Sequence, residues 1–142
     1  MAKLKTRIIV CVEKDANGVY WGTTQNIPGV VSADGSSLQE MKENLNDALS
    51  LYLETAEDIN EKEITAMFDN GFELQFKLDL SELFEKIKVL NKSAFAGRVG
   101  INPSLLRQYA SKSNTTYISE SRAKEIEAGL HELGEELQAV RL

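Results

Sequence analysis

One cysteine, one histidine, one tryptophan and two prolines are all that this 142-residue chain contains of those types. A lone cysteine excludes a disulfide framework within the chain. Cys11, set inside an apolar run, reads as a small buried hydrophobe in a reducing compartment. His131 has no Cys, Ser or Asp pattern beside it and reads as a helix-surface or interface residue. Zinc spacing, a phosphate-binding glycine loop and a dinucleotide fingerprint are all missing. Two-metal nuclease chemistry needs several convergent carboxylates. The strand centres instead offer Ile8, Ile9, Val10 and Cys11, with Glu13 only at a strand end and Glu73 and Asp79 on a solvated face. No catalytic residue, metal ligand or cofactor is therefore expected. Long hydrophobic runs are also missing: Ile8 to Val12 is strand-sized, against roughly 18 apolar residues for a membrane span. The basic start, Met1 to Arg7, leads into no apolar segment of signal-peptide length. The expectation is a soluble cytoplasmic protein with no membrane partner.

Positive charge is scarce overall, with 16 Lys/Arg against 22 Asp/Glu and a net charge of −6. Its distribution is uneven. Residues 1–80 hold seven basic and fourteen acidic side chains. Between 86 and 124 stand Lys86, Lys88, Lys92, Arg98, Arg107, Lys112, Arg122 and Lys124 against the single acid Glu120, a local +7. An acidic front followed by a basic module suggests two domains, 1–80 and 81–142, with different partners.

At 42% hydrophobic and 27% charged, the chain can bury a core. Lys5 to Glu13 is apolar and β-branched at its centre, as in a strand covered on both faces. Asp15-Ala16-Asn17-Gly18 forms a turn, and Val19 to Gln25 returns as a second strand. Ile27-Pro28-Gly29 breaks it, Val30 to Ser32 begins a third, and Asp34-Gly35 ends that one. Ser37, three residues before Glu40, opens a helix over about 37–58 with capping-box spacing. Leu38, Met41, Leu45, Ala48, Leu49, Tyr52, Leu53 and Ala56 make its apolar stripe. Phe72 to Leu80 alternates strictly between apolar and polar, predicting a half-exposed strand. The expected fold class is α+β: a small β-β-β-α-β domain, then an all-α domain with helices near 81–90, 92–99, 103–111 and 119–139. Ser119 is the expected N-cap of the last helix, with Ile118 and Ala123 as a hydrophobic staple.

The strongest local pattern runs from Ala96 to Tyr109. Ala96 is small where two helices cross, and Gly100 suits the left-handed position of a tight turn. Ile101 plugs that turn into the core. Asn102 caps the next helix, and Pro103 occupies its first turn, where a missing N–H is harmless. Leu106 and Tyr109 face inward. This spacing reads as a helix-turn-helix, leaving Ser104, Arg107, Gln108 and Lys112 outward. Arginine pairs with guanine O6/N7, glutamine with adenine N6/N7, and lysine with phosphate. Asn102, Ser104, Arg107, Gln108 and Lys112 are thus the candidate DNA contacts.

Three N-terminal stretches add a resemblance: Tyr20-Trp21-Gly22 through Ile27-Pro28-Gly29-Val30-Val31, Asp34 to Glu40, and Asn44 to Leu49. They are similar to the HicB antitoxin signature, in which a Pro-Gly strand end precedes a Gly-Asp-Thr-like cap and a Leu-Glu-Glu-Ala helix. Here Ser36-Ser37 replaces Asp-Thr and Met41 replaces Ala. Ile101 to Tyr109 resembles the helix-turn-helix of the HicB branch that carries one. The resemblance implies a degenerate ribonuclease-H-like N-terminal domain without an active site. It implies binding and neutralisation of a HicA-type toxin, a small mRNA-cleaving ribonuclease, in a type II toxin–antitoxin system. It also implies repression of the chain's own operon through operator double-stranded DNA. Toxin-contact residues are not specified; Tyr20, Trp21 and Ile27-Pro28-Gly29 are candidates that fit a structural role equally. The competing reading is an orphan transcriptional regulator whose N-terminal domain binds a ligand or another protein. In α-helical spacing, Ala123, Ile126, Leu130, Leu133, Leu137 and Val140 form a heptad-like stripe, which suggests a homodimer or homotetramer. Gly129 and Gly134 within it suggest the close approach of another backbone.

Overall fold

The apolar run near the N-terminus forms strand β1, Thr6–Lys14, in the computed structural model, which describes residues 4–113 and 116–142. The first three residues of the basic start lie outside that range. The chain divides into two compact units, Met1–Lys77 and Leu78–Leu142. Five strands and six helices occur among the described residues, a mixed α+β architecture. No helix among them is long and apolar enough to cross a membrane.

In the first unit Ile8, Val10 and Val12 are buried, while Ile9 and Cys11 on the opposite face are only half-buried. This corrects the expectation of a strand covered on both faces, and of Cys11 as a buried residue. Alternate side chains of a strand serve alternate faces, and the long helix of this unit packs on one of them. Asp15 shapes the first turn by accepting the N–H groups of Asn17 and Val19 at 2.9 and 3.0 Å. Strand β2, Tyr20–Thr24, pairs antiparallel with β1, placing Gly22 opposite Val12 and Trp21 opposite Glu13. Strand β3, Ser32–Gly35, pairs antiparallel with β2, with Asp34 opposite Trp21.

The third strand therefore starts later than Val30 and includes the Asp34-Gly35 pair expected to end it. A Cβ on Gly35 would collide with the backbone of Met41. Glycine is needed there for helix-to-sheet contact, and not for a turn. Helix α1, Leu38–Asp58, follows from Ser37, whose Oγ accepts the Glu40 N–H at 3.1 Å. The Glu40 carboxylate returns to the hydroxyl and, at 3.2 Å, the N–H of Ser36, one residue ahead of the usual capping-box partner. Met41, Leu45, Leu49 and Ala56 bury the inner face.

Helix α2, Lys62–Met67, was not expected. It has no side-chain cap and buries none of its residues, so its sequence carries no stripe to read. The order is thus β-β-β-α-α-β. Strand β4, Phe72–Leu78, lies beside β1 in the order β3-β2-β1-β4. Thr6 N–H donates to Gly71 O at 3.1 Å, and Arg7 meets Glu73 at 3.6 Å, so the two strands start together and run parallel. The strict alternation of β4 is muted, since only Glu73 is exposed. The Lys42 ammonium sits 4.6 Å from the Phe76 ring centre.

The second unit contains α3 (Ser81–Lys86), α4 (Lys92–Val99), α5 (Pro103–Ala110), β5 (Ile118–Ser119) and α6 (Glu120–Gln138). Helix α3 stops four residues short of the expected Leu90, its backbone leaving the helical conformation at Ile87, and Asn91 caps α4 by accepting the Ala94 N–H at 3.0 Å. The two-residue β5 means this half is not all-α. Phe84, Phe95, Ala96, Ile101, Leu106, Tyr109, Ile118 and Ile126 form its core, flanked by Ala123 and Leu130. Ser119 caps α6 through the Arg122 N–H at 3.2 Å. Gly129 does lie at a close approach, but from its own unit: a Cβ there would collide with the Val99 side chain and lie 3.3 Å from the Phe95 ring. Gly134 has nothing within 4 Å. At Gly129 the close neighbour is therefore α4 of the same unit and not another chain's backbone.

Candidate nucleic-acid interface

Val99 ends α4, and Gly100 takes the left-handed conformation, φ 72° and ψ 30°. The N–H groups of Gly100 and Ile101 both turn back to the Ala96 carbonyl, the latter at 2.9 Å. This closure satisfies carbonyls at the helix end and sends Ile101 into the core, 4% exposed. Asn102 Oδ1 then accepts the Ser104 N–H at 2.9 Å, and Pro103 begins α5 without an orphan donor. Leu106 and Tyr109 are buried three residues apart, so α5 is locked against its unit by a fixed face. Asn102 spends its side-chain oxygen on this cap.

Ser104, Arg107 and Gln108 are exposed on the other side of α5. Arg107 Nη1 donates to Ser93 Oγ at 2.9 Å, and Nη2 to Ser104 Oγ at 3.3 Å. Both partners are neutral, so the guanidinium charge is undiminished. Ser93, near the start of α4, was missed in the sequence. It lies fourteen residues from Arg107, and only the corner brings the two together. The Gln108 carbonyl accepts the Ser111 N–H at 3.2 Å, and its side-chain amide makes no hydrogen bond among the described residues. Lys112, just past the end of α5, donates to Glu82 Oε2 at 2.9 Å. That bond raises the ammonium pKa above its ordinary value, with Glu82, Glu85 and Asp79 adding their charges.

The positive window of 86–124 is narrower in space than along the chain. Lys112 meets Glu82, Lys88 meets Glu85 at 3.1 Å, and Arg122 meets Glu125 at 3.3 Å. Arg98 pairs with Glu136 and reaches Glu132 at 3.9 Å; the Glu136 bond holds its pKa up. All of these acids lie outside that window in sequence. Lys86, Lys92, Arg107 and Lys124 form no ion pair among the described residues. On the outer face of α5 the cation without an acidic partner is thus Arg107, while Lys92 is the sequence neighbour of its partner Ser93 and Lys112 is held by Glu82.

In the first unit, Tyr20 is half-buried with the Lys14 ammonium 5.1 Å from its ring centre. Trp21 is 44% exposed, and its indole N–H donates to Asp15 Oδ2 at 3.1 Å. Ile27 is buried, and the Pro28 carbonyl accepts the Tyr52 hydroxyl at 2.7 Å, so this loop is clamped to α1. Burial pushes the Cys11 thiol pKa up, which makes it a weaker nucleophile. His131 is exposed on α6. No group of three or more His, Cys, Asp or Glu side chains suited to a metal ion occurs among the described residues. Compared with known proteins, the chain matches no family model, no curated protein and no solved structure.

Proposed function

We propose that this chain is a HicB-type antitoxin that represses its own operon and neutralises a HicA-type mRNA-cleaving toxin. The observation that carries the reading is the α4–Gly100–α5 corner. It functions as a helix-turn-helix with α5 as the recognition helix. A helix about 10–12 Å across with its side chains fits a major groove about 12 Å wide, and the eight residues of α5 run about 12 Å along it. Its inner face is fixed by Leu106 and Tyr109, and its outer face offers Ser104, Arg107 and Gln108. Rigid support matters because base readout needs side chains delivered in register with the groove. Arg107 reads guanine, Gln108 reads adenine, and Lys92 and Lys112 meet phosphate.

The first unit supplies the toxin arm as a degenerate ribonuclease-H-like domain. The support is its three strands followed by a helix capped at Ser37, the signature residues from Tyr20 to Leu49, and its acidic balance. Opposite charge accelerates encounter with a basic ribonuclease, and apolar contacts then hold the complex. The chain works in the cytoplasm as a homodimer or homotetramer on double-stranded DNA.

The test is a gel shift of the full chain on DNA from immediately upstream of its own reading frame, beside growth rescue on co-expression with the neighbouring toxin. Sequence-selective retardation and rescue are expected. Binding equal to that of scrambled DNA would remove the repressor arm. A folded chain that gives no rescue would remove the antitoxin arm.

A further inference from the structure

The sheet face turned away from α1 carries a feature that the DNA-binding corner does not use. Gly22 and Thr24 of β2 are buried toward α1, so the alternate residues Trp21 and Thr23 stand on the other face. The registers put Glu13 of β1 on one side of Trp21 and Asp34 of β3 on the other. A row runs across three strands as carboxylate, indole, carboxylate. Both carboxylates belong to exposed residues, and the indole between them is 44% exposed. A third acid, Asp15, holds the indole N–H at 3.1 Å and so fixes the orientation of the ring. Two residues along each strand, Cys11 and Thr23 form a half-buried neighbouring row on the same face.

An exposed tryptophan within a well-formed sheet forfeits the burial that such a side chain normally gains. Here it is a preorganised aromatic surface with negative charge on both flanks. That combination suits a planar cation: a guanidinium stacks on an aromatic face and donates sideways to carboxylates, which a compact ammonium does less well. We propose that Trp21, flanked by Glu13 and Asp34, is the docking point for an arginine side chain of a basic protein partner. Resting on the antitoxin reading, this makes the outer sheet face the toxin-binding surface. Charge complementarity selects the occupant: residues 1–80 hold twice as many acids as bases, and a protein arginine is the chemistry that uses ring and acids together.

Trp21 is the only tryptophan in the chain, so fluorotryptophan incorporation gives a single fluorine resonance from this point. The full chain is titrated with its neighbouring toxin, silenced at its catalytic residue, while complex formation is followed independently by sedimentation. The Trp21 resonance is expected to shift and saturate with the complex. Trp21→Ala and Asp34→Lys should each weaken the complex about tenfold or more, as removal of an interface anchor does. Asp34→Lys keeps the ring and guards against a folding defect in Trp21→Ala. Each variant's thermal unfolding is compared with that of the parent chain. A complex that forms while the Trp21 resonance stays still, or that tolerates Asp34→Lys in a folded chain, overturns this inference and leaves the antitoxin reading standing. No complex at all overturns both.

Discussion

At the scale of single residues, two glycines of one helix make opposite predictions. A methyl group on Gly129 meets Val99 and Phe95, whereas one on Gly134 meets nothing within 4 Å. Gly134→Ala should stabilise the second unit by up to about 1 kcal/mol through helix propensity alone. Gly129→Ala gains the same propensity but overpacks the α4–α6 contact, a cost of about 1–3 kcal/mol. Denaturant titration followed by helical circular dichroism should show the first variant rising and the second falling; matching shifts would deny the close packing. On the proposed DNA face, Arg107→Ala and Gln108→Ala should each cost about 1–3 kcal/mol of operator affinity and relax specificity at one base pair. An unchanged affinity in the double variant would mean that another face reads DNA. Lys112→Ala should weaken all sequences alike, as loss of a phosphate contact does. The Glu82 contact adds a converse: Glu82→Gln frees that ammonium, so non-specific affinity should rise and its salt dependence steepen.

Caps decide what can be read at the scale of elements. Ser37 and Asn102 each accept a backbone N–H at the start of their helices, and Ser119 does the same for α6. Helices α1, α4, α5 and α6 accordingly begin and end within about one residue of the sequence expectation. The misplaced elements lacked such marks. Helix α2 has neither cap nor stripe, α3 has no side-chain cap and ends four residues before the expected Leu90, and the packing of Gly35 against Met41 shows only once α1 lies on the sheet. The charge of the candidate site was legible only in part for the same reason, since Glu132 and Glu136 reach Arg98 from more than thirty residues away. The α1 cap also makes a pH prediction. Hydrogen bonds from Ser36 hold the Glu40 carboxyl below its ordinary pKa. A lowered carboxylate pKa contributes stability above its unfolded value and loses it as pH falls through the folded value. The unfolding midpoints of the parent chain and Glu40→Gln should therefore converge as pH drops from about 6 to below about 4. A gap that stays constant with pH would show that the carboxylate charge plays no part. Ser37→Ala should cost about 1 kcal/mol at either pH.

For the whole molecule, the question is what covers the far end of α6. Ala123, Ile126 and Leu130 close the core over Leu106 and Tyr109, and the Gly129 contact keeps this half of the helix against α4. Gly129 thus gives no argument for a partner. Farther along the helix, Leu133 is half-buried, Leu137 is 64% exposed and Val140 is 56% exposed. The pairing of Arg98 with Glu132 and Glu136 ties down the polar side of the same segment, which fixes the direction in which the apolar stripe faces. Single exposed leucines are ordinary, but a row at intervals of four and three residues on one helix is a seam without its other half. The proposed DNA reading asks for the same thing. One helix-turn-helix reads a short half-site, and a twofold pair reads two half-sites about 34 Å apart, which makes a palindromic operator the natural target. The expected result is a full chain that sediments as a dimer or dimer of dimers at micromolar concentration and binds a palindrome cooperatively. Truncation after Gly134 should leave a monomer that still binds a half-site, and Leu137→Glu should do the same without removing any residue. A full-length monomer that binds the palindrome without cooperativity would end the idea, because the stripe would then have nothing to explain.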